Sequence, residues 1–114
     1  MPSSSCVKDV RDKDAVVVVA LTGEIDLHCT PEMHKTLVAI CKKQPAQLVI
    51  NLEDVSYIDS SGIGTLVEVF RRVNGYKGRL ALCGLSDRVH SVFEITKLDH
   101  FFKIFDTESE ALSG

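Results

Sequence analysis

The sequence predicts an α/β fold in which a mixed, mostly parallel sheet of four to five strands packs with about four helices. Three observations carry it. Val16-Val17-Val18-Val19-Ala20-Leu21, Leu48-Val49-Ile50 and Leu80-Ala81-Leu82-Cys83 are short, almost continuously apolar runs, as strands covered on both faces are. Segments of helical spacing separate these runs, so successive strands lie parallel and are joined by right-handed crossovers. The 114 residues, 45% hydrophobic and 25% charged, suit one compact unit that buries roughly 65% of its unfolded surface.

Met1 to Ser5 reads as a flexible tail on a single domain spanning 1–114. A short strand over Val7 to Val10 comes next, with Asp12-Lys13-Asp14 as the turn of a hairpin into the Val16 run, which Gly23 ends. Thr30 suits the cap of the first helix and Pro31 its first position. Met33, Leu37, Ile40 and Cys41 then share one face, Lys42 and Lys43 sit at the negative end, and Pro45 stops the helix. After the strand at Leu48 to Leu52 and its turn, a second helix opens at about Gly62. It turns Ile63, Leu66, Val67, Phe70 and Val73 inward and leaves Thr65, Glu68, Arg71 and Arg72 more exposed, with Asn74-Gly75 as its stop. Ser86 caps a third helix with Val89, Val92 and Phe93 inside. Ile104-Phe105 makes the last strand, and Thr107-Glu108-Ser109-Glu110 has capping-box spacing for a brief terminal helix. In such a sheet the loops at the strand C-terminal ends gather on one rim, which brings Gly23-Glu24-Ile25-Asp26 beside Asp59-Ser60-Ser61.

Charge and cysteine usage narrow the function. A net charge of −3 argues against a nucleic-acid binder, which needs a concentrated basic face. Cys6, Cys29, Cys41 and Cys83 are scattered, without close pairs or a secretory leader, so they read as free buried or half-buried thiols of a cytoplasmic protein. No run approaches the roughly 20 apolar residues of a membrane span. His28, Cys29 and His34 lack the second ligand pair of a metal site. No cofactor is implied: Gly62-x-Gly64 lacks a Walker lysine, and nucleotide binding by this chain is unsupported.

Asp59-Ser60-Ser61-Gly62-Ile63-Gly64 is the most informative stretch. It joins strand to helix, where a hydroxyl meets backbone N–H groups and the positive end of the dipole, a setting that tolerates a phosphate. Ser60 is therefore a candidate switch. By themselves these residues more often describe an ordinary N-cap and tight turn. As a hydrolase nucleophile Ser60 fails, because Ile58 stands where the nucleophile elbow needs glycine.

Three motifs in order resemble the anti-sigma-factor antagonists of the STAS domain class. They are Leu21-Thr22-Gly23-Glu24-Ile25-Asp26, Asn51 to Gly64, and Val92-Phe93-Glu94-Ile95-Thr96-Lys97-Leu98, and the resemblance runs from about Val16 to Leu112. It implies partner switching without catalysis by this chain. The unphosphorylated antagonist binds an anti-sigma factor that is also a serine kinase and frees a sigma factor. Phosphorylation ends that binding, and a PP2C-type phosphatase opposes it. The modified residue falls on Ser60, directly after Asp59, with Asp26 and Asp59 matching family acidic positions. Asp26, Asp59, Ser60, Ser61, Gly62, Thr65, Glu68 and Arg71 make up the expected partner surface. The two carboxylates are candidates to orient the Ser60 hydroxyl or help place Mg2+ with the partner's nucleotide; their simpler role is turn formation. Two other functions compete: a receiver-like domain phosphorylated on Asp59, and a STAS interaction module of a transporter or signalling assembly.

Overall fold

The computed structural model describes residues 6–114, so the expected tail at Met1 to Ser5 lies outside the described residues. Strands β1 (Val7–Lys13), β2 (Val16–Ile25), β3 (Gln47–Ile58), β4 (Arg79–Cys83) and β5 (Lys103–Phe105) form one sheet in sequential order. Among the described strands only β1 and β2 pair antiparallel; the other pairs are parallel. Helices α1 (Thr30–Lys42), α2 (Ser60–Gly75), α3 (Asp87–Ile95) and α4 (Glu108–Ser113) follow β2, β3, β4 and β5, and a 3-10 turn at Leu98–His100 follows α3.

The alternation of side chains along each strand divides the molecule into layers. Val17, Val19, Leu21, Leu48, Ile50, Leu52, Leu80 and Leu82 point to one face, where Met33 and Leu37 of α1, Leu66 and Val69 of α2, and Val89 and Phe93 of α3 complete the main core. The opposite face buries Val18, Val49, Ala81 and Cys83, with Ala111 of the short α4 laid over them. Phe70, Phe93, Phe101 and Phe102 close the far end of the main core, with ring centroids 4.4–5.7 Å apart.

Several boundaries move from their expected places. The hairpin turn is Asp14-Ala15, one residue later than expected, and both take positive φ, 52° and 67°. That pair of dihedrals matches the twist of the flanking strands. Gly23 does not end β2; at φ +80° it lets the strand pass a register shift and continue to Ile25. Likewise β3 does not turn after Leu52 but runs to Ile58, because Thr22 to Ile25 of β2 pair with Asp54 to Ile58 beyond the end of β4.

The cysteines depart most from expectation. Cys6 and Cys29 are not free thiols: they are joined by a disulfide across Cα atoms 5.8 Å apart. Their separation of 23 residues concealed a contact made by the fold, through the approach of the residue preceding β1 to the start of α1. Cys41 and Cys83 are free and buried, as expected.

Candidate functional site

The two extended strand ends of β2 and β3 build the site. Ile25 pairs with Ile58, and the Asp59 N–H donates to the Ile25 carbonyl at 3.0 Å, so both turns leave the sheet side by side. The rim expected from the sequence is therefore present.

Helix α2 starts two residues before its expected origin. Asp59 is its N-cap, with extended backbone, and Ser60 is its first residue. Asp59 Oδ1 accepts from Ser61 N at 2.9 Å, Gly62 N at 3.2 Å and Ser61 Oγ at 2.6 Å. The Ser61 hydroxyl, with the two backbone N–H groups, holds the Asp59 carboxyl below its ordinary value against the opposing effect of desolvation. The cap is thus an anion under physiological conditions, and it occupies backbone donors that the sequence left open for a phosphate.

The two serines of the motif part company here. Ser61 is half-buried; it donates to Asp59 and accepts from Thr30 Oγ1 at 3.3 Å, while its carbonyl accepts from Thr65 Oγ1 at 3.0 Å. Ser60 is exposed, and its hydroxyl makes no hydrogen bond among the described residues. Neither Asp26 nor Asp59 binds that hydroxyl, so the structure does not bear out an orienting contact from either carboxylate. Asp26 organises its own turn: Oδ1 accepts from His28 N at 2.9 Å and its carbonyl from Cys29 N and Thr30 N.

Gly62 is buried where α2 crosses the strand ends. A Cβ there would lie 2.6 Å from Ile58 Cγ1 and 2.7 Å from Ile25 Cγ2, so this glycine permits a close approach of helix and sheet. Thr65, expected to face out, is 8% exposed, with its hydroxyl folded back onto the Ser61 carbonyl of the preceding turn. It cannot offer a docking side chain. Glu68 stays half-exposed but bridges helices, to His34 of α1 at 2.8 Å and Arg72 at 2.9 Å. These partners, His34 first, draw the Glu68 carboxyl below its usual value. Arg71 is exposed one turn along, with no ion pair among the described residues.

Two residues of the rim escaped the sequence reasoning. Thr30 does not cap α1. Cys29 occupies that position without a side-chain cap, and the Thr30 hydroxyl instead links the first helix to Ser61. Leu27, 72% exposed between Asp26 and His28, sets an apolar side chain on the rim; its lone place in a polar turn was a legible signal.

A family model for the STAS domain matches residues 7–111. The chain belongs to the STAS domain family. Among its STAS relatives, an anti-sigma-B factor antagonist of Listeria monocytogenes is 37% identical over 100 residues, covering 88% of this chain and 87% of that protein. The anti-sigma factor antagonist SpoIIAA in its unphosphorylated form superimposes with a TM-score of 0.79 at 26% identity, covering 92% of each chain. The Bacillus cell fate determinant SpoIIAA in its phosphorylated form gives a TM-score of 0.73 at 25% identity, covering 92% of this chain and 96% of that one. This STAS fold is similar to structures solved in both covalent states.

Proposed function

We propose that the chain is an anti-sigma factor antagonist acting by partner switching in the cytoplasm, with Ser60 as its phosphoacceptor. In the unphosphorylated form the rim binds an anti-sigma factor that is also a serine kinase, which releases a sigma factor. Phosphate on Ser60 ends that association, and a PP2C-type phosphatase restores it. The chain is the substrate in this cycle, not its catalyst. The single observation that carries the choice of residue is the division of hydroxyls: Ser61 is committed to Asp59 and Thr30, whereas Ser60 faces solvent at the first position of α2.

Electrostatics supports a switch that leaves the fold in place. Phosphorylation adds about 1.5 to 2 negative charges. The α2 dipole offsets part of this, by about 0.3 to 2 kcal/mol. The capping donors are already taken by the Asp59 anion, so the phosphate is turned away from the cap and toward whatever covers the rim. Against an acidic or poorly solvated partner surface the cost is about 2 to 6 kcal/mol between water-like and surface-like dielectrics. At about 1.4 kcal/mol per decade, that weakens binding by roughly one to four decades. On this reading Asp26, Asp59, Leu27 and the exposed side of α2 with Arg71 frame the contact, and Gly62 and Thr65 hold it from beneath.

A receiver-like role for Asp59 is disfavoured by the same geometry, because one carboxylate oxygen carries three hydrogen bonds of the helix cap. Incubation with candidate anti-sigma serine kinases and ATP, followed by intact mass and complex formation, tests the proposal. The expected result is one acid-stable phosphate on Ser60 that coincides with loss of the complex. An acid-labile phosphate, a phosphate on Ser61, or stable capture of a non-kinase assembly without phosphorylation contradicts it.

A further inference from the structure

The disulfide lies directly behind the rim. Cys6 and Cys29 are both buried, and their Cα separation of 5.8 Å is ordinary for a bridge. Cys6 is fixed to the sheet through its carbonyl, which accepts from Thr22 N at 2.8 Å. Cys29 is the residue on which α1 opens, three positions after Asp26 and adjacent to Thr30, whose hydroxyl reaches Ser61. One covalent bond therefore holds the Asp26–Thr30 turn to the sheet, and that turn touches the start of α2. Both sulfurs also have neighbours suited to thiols: Cys29 Sγ lies 3.6 Å from the Glu24 carbonyl and Cys6 Sγ lies 3.7 Å from Met33 Sδ. The bond can open without stranding a polar group.

We propose that Cys6 and Cys29 form a redox latch: the bonded pair presets the Asp26–Thr30 turn for the protein partner, and reduction releases it. The output of the latch rests on the partner-switching reading; the latch itself does not. Closing the bond removes two protons and two electrons from the thiols. A peroxide accepts them, its O–O bond breaking to give two waters. Opening runs by thiol–disulfide exchange with a dithiol: one thiolate attacks a latch sulfur, and the second resolves the mixed disulfide. Two protein thiols and the reductant's own disulfide remain. Disulfides of cytosolic proteins are usually of this transient, redox-sensing kind. Cys41 and Cys83, both free and buried, serve as internal controls for the thiol count.

Alkylation of the denatured chain, after treatment with hydrogen peroxide or dithiothreitol, counts the thiols by mass. Two of the four cysteines are expected to react in the oxidised protein and all four in the reduced one. Amide hydrogen exchange over Asp26 to Thr30 is expected to quicken on reduction, and affinity for the serine-kinase partner to fall about two- to tenfold as preorganisation is lost. A Cys6→Ser, Cys29→Ser double variant is expected to match the reduced chain in both buffers, which separates any effect on the partner. Four reactive thiols after peroxide, or equal exchange in both states, overturns the latch. Equal affinity of two forms that differ in exchange overturns its coupling to binding. If neither form binds or is phosphorylated, the partner-switching reading fails, and the thiol count and exchange rates still decide the latch.

Discussion

Helices α2 and α4 open with the same chemical vocabulary but place it at different points of the fold. Asp59 caps α2 through its carboxylate, and Thr107 caps α4 through its hydroxyl, which accepts from Glu110 N at 3.1 Å. Both starts carry an acid and a hydroxyl. At α4 the acid is closed off, because Glu108 takes a two-pronged contact from Arg11 at 2.7 and 2.8 Å and another from Asn51 at 3.0 Å. At α2 the acid and one serine satisfy each other, and Ser60 stands outside the arrangement as the exposed Ser109 does at α4. A helix start with a hydroxyl is therefore not a signalling site by composition; the surplus hydroxyl on a rim shared by two strand ends is what sets α2 apart.

The largest expected effect separates the two starts by charge. Ser60→Asp, which adds one charge where phosphate adds about 1.5 to 2, should lower partner affinity by about tenfold, at the lower end of the one to four decades derived for the phosphate. Thr107→Asp, which adds similar charge and keeps a competent cap, should leave that affinity unchanged. Titration calorimetry on both variants checks the pair, and equal losses would erase the distinction.

Packing gives the next largest effect. Gly62→Ala drives a methyl into Ile58 and Ile25 and should cost about 1 to 3 kcal/mol in denaturant unfolding. Gly64→Ala, two residues on and with nothing within 4 Å of its Cβ, should instead stabilise by about 0.5 to 1 kcal/mol. Destabilisation of similar size at both positions would show that helix and sheet do not meet closely at Gly62.

The caps come third. Asp59→Ala should cost about 0.5 to 2 kcal/mol. Because the folded Asp59 pKa lies below its ordinary 3.8, its contribution is complete above that value and is lost as pH falls through the folded one. Asp59→Asn should therefore flatten this part of the acid unfolding curve. The smallest effect belongs to the α4 corner: Arg11→Ala should cost about 0.2 to 1 kcal/mol, since Arg11 is half-exposed. Glu108, lowered by Arg11 and Asn51, adds a similar loss as pH drops below its ordinary 4.5, and Glu108→Gln should remove it.

What the sequence disclosed follows from which forces were local. Continuous apolar runs announced β2, β3 and β4, and the caps at Ser86 and Thr107 were legible because capping acts within three residues. The strand ends were hidden because they pair on one side only. Exposed pairs, Glu53-Asp54 and Ser56-Tyr57, separate the buried Leu52, Val55 and Ile58, a period of three that does not read as a strand without its partner. Glycine at 23 likewise suggested a strand end where the fold uses backbone freedom, and glycine at 62 a helix start where the fold uses close approach. At the site, the Asp59 to Gly62 junction was legible, whereas the split between Ser60 and Ser61 depends on Thr30, brought in from α1. The Cys6–Cys29 bond is of the same kind, a long-range contact with no short spacing to reveal it.

The most direct test compares the affinity of unmodified and Ser60-phosphorylated protein for one serine-kinase anti-sigma factor, with thermal unfolding recorded on both samples. The account predicts at least a tenfold weaker complex for the phosphoprotein, with cooperative unfolding preserved. Equal affinities, or a phosphoprotein that has lost its cooperative transition, would contradict it.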